Sequence, residues 1–302
     1  MTGPLVSIIC ACYNQSQYIV ESLESVKAQT YKNIEIIIWD DASKDNSVEI
    51  IENWISQNQE LDIQFVRHEE NKGICKSLNE CFLLSKGKYI QLLALDDVLL
   101  PWKLKRHVGL LEQSSEKDAL VFTDAYIMNE YSEKYTNRFM AYHIHYLNIE
   151  SGNYFEQLIH SNFIPAMSVL LKRDVVENVG LWDEKLVFED YDMWMRISRN
   201  YDFIFDDKVS VKYRLHSSNT HKKMESQLIL DSFKIKLKHA EESSVRKMLE
   251  EYIEYKYLVK ELNGEEIIYF NTFPAHSLSD KLINSKRFTL LYITLKKLKK
   301  IF

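Results

Sequence analysis

The run from Leu5 to Cys12, apolar everywhere except Ser7, constrains the fold more than any other stretch. A strand in a half-exposed sheet alternates apolar and polar residues, so a continuous apolar run belongs in a parallel sheet covered on both faces. The pattern returns at Ile34 to Trp39, Ile63 to Val66 and Tyr89 to Leu95. Between these runs the apolar residues change to helical spacing: Ile19, Leu23 and Val26; Val48, Ile51 and Ile55; Ile74, Leu78, Cys81 and Phe82. Asn14 and Ser16 supply cap chemistry for the first of these helices and Asp45 for the second, while Gly87 is expected to close the third. Alternating strands and helices predict an α/β fold with a mostly parallel sheet and right-handed crossovers.

Each strand run stops on polar residues: Asn14, Asp40-Asp41, Arg67-His68 and Asp96-Asp97. In an open parallel sheet the carboxyl ends of the strands share one edge, and ligands bind there. Asp96-Asp97 is the most informative of these ends. Adjacent carboxylates at the end of a buried strand repel one another and are costly to desolvate, and a divalent cation with hard oxygen ligands relieves both penalties. Taken alone, the pair reads first as solvated turn carboxylates. Beside the other polar strand ends it reads as a metal site that would in turn hold a diphosphate.

Several classes are excluded. No GxGxxG follows the first strand, and the Lys and Ser/Thr of a phosphate-binding P-loop are missing. A net charge of −6 gives no general attraction to nucleic acid or anionic lipid. With only 7 Gly and 4 Pro, the chain holds no long linker. The four cysteines, Cys10, Cys12, Cys75 and Cys81, lack zinc-site spacing and are expected to be buried and reduced. The amino terminus lacks a basic region ahead of its apolar run, and no segment is long enough to span a bilayer. A cytoplasmic location is therefore expected.

Pro101 and Trp102 open a further helix to about Leu111, and Ala119 to Thr123 reads as a strand. From Asp124 to Glu150 no period is legible, and the Tyr-, His- and Asn-rich stretch suits either a substrate-facing loop region or a surface excursion. Ser151 caps a short helix, Ala166 to Leu171 reads as a strand, and Arg173 to Val179 as a helix stopped by Gly180. Glu189, Asp190 and Asp192 open the next helix; the helix dipole favours acids there, but three within four residues exceed what capping needs. Phe203 to Phe205 and Val209 to Tyr213 are the last strand candidates, and residues 224–262 read as charged amphipathic helices. Residues 281–302 carry seven Lys/Arg and no acid around the stripe Phe288, Leu291, Leu295, Leu298 and Phe302. That pattern suits a helix on an anionic membrane surface, or equally one docked on its own domain.

Over residues 4–220 these motifs together resemble the family 2 glycosyltransferases. They run from Val6 to Asn14 through Gln29-Thr30-Tyr31, Asp40-Asp41-Ala42-Ser43 and Asn71-Lys72-Gly73 to Asp96-Asp97 with Pro101, Glu189-Asp190 and Tyr213-Arg214-Leu215-His216. The resemblance implies a GT-A fold, a Rossmann-like mostly parallel sheet with flanking helices, over residues 1–222. Its nucleotide-binding half would be about 1–123 and its acceptor half 124–222, with 223–302 a helical C-terminal extension. It implies inverting transfer of a sugar from a nucleotide-sugar donor, most often a UDP-sugar. The acceptor would be a hydroxyl of a glycan or lipid-linked saccharide, as in bacterial surface polysaccharide, O-antigen or lipopolysaccharide assembly at the inner face of the cell membrane.

The resemblance also implies roles for residues. Asp41, with Asp40 beside it, would read the base, with Tyr13 and Arg67 lining the same pocket. Asp96 and Asp97 would hold Mn2+ or Mg2+, with His216 a further candidate for the metal or diphosphate. Asp190, with Glu189 beside it, would be the catalytic base. Two departures stand out: Ala94 occupies the place of the first acid in the family's metal motif, and Ala42 stands where glycine is commoner. Two other readings fit parts of the pattern: a nucleotide-sugar-binding partner without catalysis, suggested by Ala94, and a nucleotidyltransferase, which would need a glycine-rich basic loop after the first strand.

Overall fold

The run that constrains the fold becomes β1 (Val6–Cys12), the third strand from one edge of a seven-stranded sheet. The structure, a computed structural model, describes residues 3–143, 149–219 and 224–258. After β1 come α1 (Ile19–Lys27), β2 (Ile34–Asp40), α2 (Ser47–Ser56), β3 (Ile63–Arg67), α3 (Ile74–Leu84) and β4 (Tyr89–Ala94). A short β5 (Val98–Leu99) and α4 (Lys103–Glu112) lead to β6 (Asp118–Phe122). Val6, Ile8, Ile9 and Cys10 are all fully buried, so both faces of β1 are covered, as its unbroken apolar pattern requires. Each such Ile contributes about 1.5–3 kcal/mol relative to exposure.

The stretch without a legible period holds a hairpin, β7 (Ala125–Asn129) and β8 (Lys134–Arg138), followed by a 3-10 turn at Met140–Tyr142. Then come α5 (Phe155–His160), β9 (Leu170–Lys172), α6 (Arg173–Val179), α7 (Glu189–Ser198), β10 (Asp202–Phe205) and β11 (Val211–Leu215). The strand expected from Ala166 is a 3-10 turn up to Ser168, and only Leu170–Lys172 enters the sheet.

The large sheet has the order β10-β6-β9-β4-β1-β2-β3. The β1–β2, β1–β4, β2–β3 and β6–β10 ladders are parallel, and β9 enters antiparallel between β4 and β6. A smaller sheet runs β5-β11-β7-β8, with β11 parallel to β7. The chain winds outward from β1 in both directions, so a crevice opens between the carboxyl ends of β1 and β4. Register fixes what lines that edge: Cys12 pairs with Asp40, Asp40 with Arg67, and Ala11 with Ala94.

Two expected caps serve other purposes. α3 ends at Leu84, and Gly87 instead gives its N–H to Ser7 Oγ (2.8 Å) and Glu35 Oε1 (3.0 Å). A Cβ there would stand 2.5 Å from Ser7 N, so close approach of two backbones is what requires glycine. Asn14 and Ser16 do not cap α1. Asn14 Oδ1 accepts from Lys44 N (2.7 Å), Asn14 N donates to Ser43 Oγ (2.8 Å), and Ser16 N donates to Asp45 Oδ2 (3.1 Å). The loops after β1 and β2 are thereby stitched together.

All four cysteines are buried and free. The chain divides into two compact units, Met1–Asp231 and Ser232–Phe302. α8 (Glu225–Leu237) crosses that boundary, and α9 (Ser243–Leu258) belongs to the second unit, where Phe233 packs on Tyr252 at 5.4 Å. No described helix is long and apolar enough to cross a membrane. The expected basic helix, 281–302, lies outside the described residues.

Candidate active site

At the ends of β2 and β3 a cavity of about 470 Å3 is lined by Asp40, Ala42, Ser43, Lys44, Arg67 and His68, among others. Asp41, expected to read a base here, has its carboxylate occupied. It accepts from Lys72 N (2.8 Å) and Gly73 N (3.0 Å) at the start of α3, and Oδ1 lies 2.9 Å from His68 Nδ1. His68 Nε2 is 2.9 Å from Glu80 Oε2, and Glu80 also pairs with Lys72 Nζ. Asp41 is therefore a buried clasp joining β2, β3 and α3.

Asp40 is the carboxyl left over. One oxygen accepts from Ser43 N (2.8 Å), while Oδ2 is buried without a hydrogen-bond partner. Beside it lies the Cys12 thiol, at best a weak donor, which burial pushes up to about 12. An unpaired buried carboxylate oxygen is costly until a ligand or water donates to it. Ala42 turns the chain beneath the cavity at φ 63°, the left-handed region that explains why glycine is commoner there. Arg67 is an exposed wall residue, and Tyr13, 49% exposed, stands outside the cavity lining.

In the crevice after β4, Asp96 and Asp97 are both buried. Asp97 Oδ1 accepts from Arg214 N (2.9 Å), and Asp96 Oδ2 lies 2.9 Å from His216 Nε2. Ser218 N donates to His216 Nδ1 (3.2 Å), which leaves the Nε2 proton for Asp96. Among the described residues no hydrogen bond reaches the second oxygen of either carboxyl. Burial, and then the charge of Asp96, push the Asp97 carboxyl well above its ordinary range. No cluster of three His, Cys, Asp or Glu side chains suited to a metal ion occurs among the described residues. His216, a further candidate for the metal or diphosphate, is placed beside Asp96.

Sequence reasoning missed Arg214, which is 1% exposed and is the hub of this region. Its Nε donates to Asp96 O (2.7 Å), and its terminal nitrogens reach Ser132 Oγ (2.9 Å) and Glu21 Oε2 (2.6 Å). The signal for it was the Tyr-Arg-Leu-His stretch itself, where the arginine alternates in register with His216.

Glu189 and Asp190 open α7, and the segment before them is pinned to α3. Asn79 exchanges hydrogen bonds with the Trp182 backbone (2.9 and 3.0 Å), and Cys75 Sγ donates to Leu186 O (3.1 Å). Asp190 Oδ2 accepts from Asn162 Nδ2 (3.0 Å) and Oδ1 from Tyr191 N (2.6 Å). Both acids are half-buried. Desolvation pushes Asp190 up to about 6, and desolvation with the neighbouring charge of Asp190 pushes Glu189 up to about 8.

Tyr213 on β11 feels the charge of both acidic groups. Its phenol is raised by burial first, then by the charges of Asp97, Asp96 and Asp190 together.

The model of the family described as "Glycosyl transferase family 2" matches residues 7–180. The chain belongs to glycosyl transferase family 2. Among its relatives is a protein of Rickettsia prowazekii named as a glycosyltransferase, 33% identical over 72% of this chain and 66% of its own length. Another, from Methanocaldococcus jannaschii, is 30% identical over 73% of this chain and 74% of its own length. A third, from Rickettsia felis, is 33% identical over 73% of this chain but 36% of its own length. The chain thus spans between about a third and two thirds of these Rickettsia relatives.

Among solved structures, S. aureus TarS in complex with UDP-GlcNAc superimposes with a TM-score of 0.64 at 17% identity, covering 88% of this chain and 78% of that one. A Pyrobaculum calidifontis mannosyltransferase in complex with GDP-Man and Mn2+ gives 0.60 at 14%, covering 98% and 80%. These similarities establish the GT-A fold for this family 2 chain.

Proposed function

We propose that this family 2 chain transfers a glycosyl group from a nucleoside diphosphate sugar, a UDP-sugar before others, to a hydroxyl of a saccharide acceptor with inversion. The observation that carries the reading is the buried Asp96-Asp97 pair at the carboxyl end of β4, each with an oxygen that no hydrogen bond among the described residues reaches, on the same sheet edge as the cavity lined by Asp40. Asp40, rather than the clasped Asp41, would accept the N–H of uracil, with Arg67 and Lys44 at the cavity wall. Asp96 and Asp97 would hold Mn2+ or Mg2+ through their free oxygens, the remaining ligands coming from the donor diphosphate. Two adjacent buried carboxylates with an oxygen each to spare fit such a cation, and the structurally similar Pyrobaculum mannosyltransferase is in complex with GDP-Man and Mn2+. When bound, the cation neutralises charge on the departing diphosphate.

Asp190 takes the proton of the acceptor hydroxyl as its oxygen attacks the anomeric carbon and the bond to the diphosphate breaks. Glu189, the more strongly raised of the two, holds its proton near neutral pH and spares Asp190 a second charged neighbour. The basic stripe of residues 281–302 supports a lipid-linked acceptor at an anionic membrane face.

The test is a panel of nucleotide sugars with and without Mn2+, read first by thermal stabilisation and then by product formation. A UDP-sugar should raise the melting temperature more with the metal than without, and release its sugar to an acceptor glycan. A panel in which no nucleotide stabilises the protein under either condition would sink the reading. A preference for GDP-sugars would overturn the uracil assignment alone.

A further inference from the structure

Arg214 raises an electrostatic problem. Its Nε is bonded to the backbone oxygen of Asp96, so a permanent cation lies within one residue of the carboxyl pair assigned to a divalent ion. An unbalanced guanidinium at that place would repel the incoming metal. The structure balances it from elsewhere in the chain. Glu21, on α1, meets the far side of the guanidinium at 2.6 Å, and the Ser132 hydroxyl, at the tip of the β7–β8 hairpin, donates to the same Glu21 oxygen (2.6 Å). The Tyr18 ring packs on the guanidinium at 4.7 Å. The guanidinium thus spends its charge on Glu21 and its geometry on the Asp96 carbonyl, leaving the carboxylates' second oxygens untouched.

We propose that Glu21 is a positioning residue that sets the affinity of the Asp96-Asp97 pair for its divalent cation by neutralising Arg214. The inference rests on the metal reading above and extends it to a residue outside the site. Glu21 contributes no ligand. It acts through Arg214, and through Ser132 it ties that charge balance to the hairpin on the acceptor side. Its side chain is 40% exposed, so the effect is moderated by solvent and weakens with added salt.

The experiment is a titration of the full chain with Mn2+, with and without UDP, following free Mn2+ by its electron paramagnetic resonance signal. Glu21→Gln keeps the size and the contact with Ser132 but removes the charge, and should raise the half-saturating Mn2+ concentration roughly five- to tenfold at low salt. Glu21→Lys should raise it further. Ser132→Ala, which keeps the charge, should leave it within about twofold, and the gap between Glu21→Gln and wild type should narrow at high ionic strength. UDP binding without metal should be unchanged in Glu21→Gln, and circular dichroism melts confirm that each variant is folded.

Equal Mn2+ affinity in wild type and Glu21→Gln overturns the proposal. So does an equal loss in Ser132→Ala, which would make the role one of shape. Failure of the wild-type chain to take up Mn2+ in the presence of UDP would instead remove the metal site itself.

Discussion

The two halves of the first unit, β1 to β4 with the proposed nucleotide side and β6 onward with the proposed acceptor side, are built in different ways. From β1 to β3 each strand pairs with the next, β4 returns to the other side of β1, and parallel register alone lines up Cys12, Asp40 and Arg67 at one edge. From β6 onward the pairings are distant: β11 lies beside β7, β9 is inserted between β4 and β6, and Asp97 is held by Arg214. The first half places its chemistry by repetition, so single side chains there can be spared for ligands or for clasps. The second half places its chemistry through individual buried contacts, and removing one of those should show in catalysis or metal affinity before it shows in nucleotide binding.

The largest expected effect tests that division directly. Asp190→Asn should lower the transfer rate by about 10²–10⁴ while UDP affinity by calorimetry stays at the wild-type value. A matching loss of UDP affinity would mean the acceptor side also shapes the nucleotide pocket.

Within the nucleotide side, the neighbouring acids should separate. Asp41→Ala strands His68 and the Lys72 and Gly73 N–H groups ahead of α3 and should cost roughly 2–4 kcal/mol of stability in urea denaturation. Asp40→Asn should leave stability at or above wild type and weaken UDP binding about tenfold or more. If the two phenotypes were exchanged, the clasp and the base reader would have to be exchanged as well.

The acids of α7 make a pH prediction. Folding raises both carboxyls above their ordinary values of 3.8 and 4.5, so the folded chain binds these protons more tightly than the unfolded one. Their contribution to stability is greatest below about pH 4 and falls as pH rises through about 6 and towards 8. A general base works only after losing its proton, so the transfer rate should rise over the same interval, with Asp190 and Glu189 titrating as a pair. Melting temperature and initial rate measured against pH should therefore run in opposite directions. The smallest effect is at Ala42, where the left-handed φ of 63° makes Ala42→Gly stabilising by about 0.5–1 kcal/mol in thermal melts.

The contrast also explains what was legible. Mostly apolar runs reported β1, β2 and β4 because these strands are covered on both faces, and β3, half-buried at the sheet edge, followed from its place in the series. Asp41 read as the residue that meets the base because adjacent identical residues carry no sign of which one is held by the N–H groups ahead of α3. The β7–β8 hairpin left no trace, because the partner that makes β7 a strand is β11, far along the chain. Arg214 stayed hidden for the same reason: arginine in a strand reads as exposed until Glu21 and Asp96 are brought to it. Gly87 looked like a helix stop because sequence shows proximity to α3 but not to Ser7.

The insertion of β9 carries a consequence for how the protein is made. Synthesis proceeds from the amino terminus, so β4 emerges from the ribosome with its partner β1 on one side and nothing on the other until residue 172 has been translated. β6 waits equally, since both of its neighbours, β9 and β10, come later. The nascent chain therefore exposes apolar strand edges for dozens of residues, a template for pairing with other chains. A fragment ending near residue 123, although it would contain the whole nucleotide cavity, should aggregate. The three residues Leu170–Lys172 act as a late keystone that joins β4 to β6, and the outer edge of β6 is covered only when β10 follows.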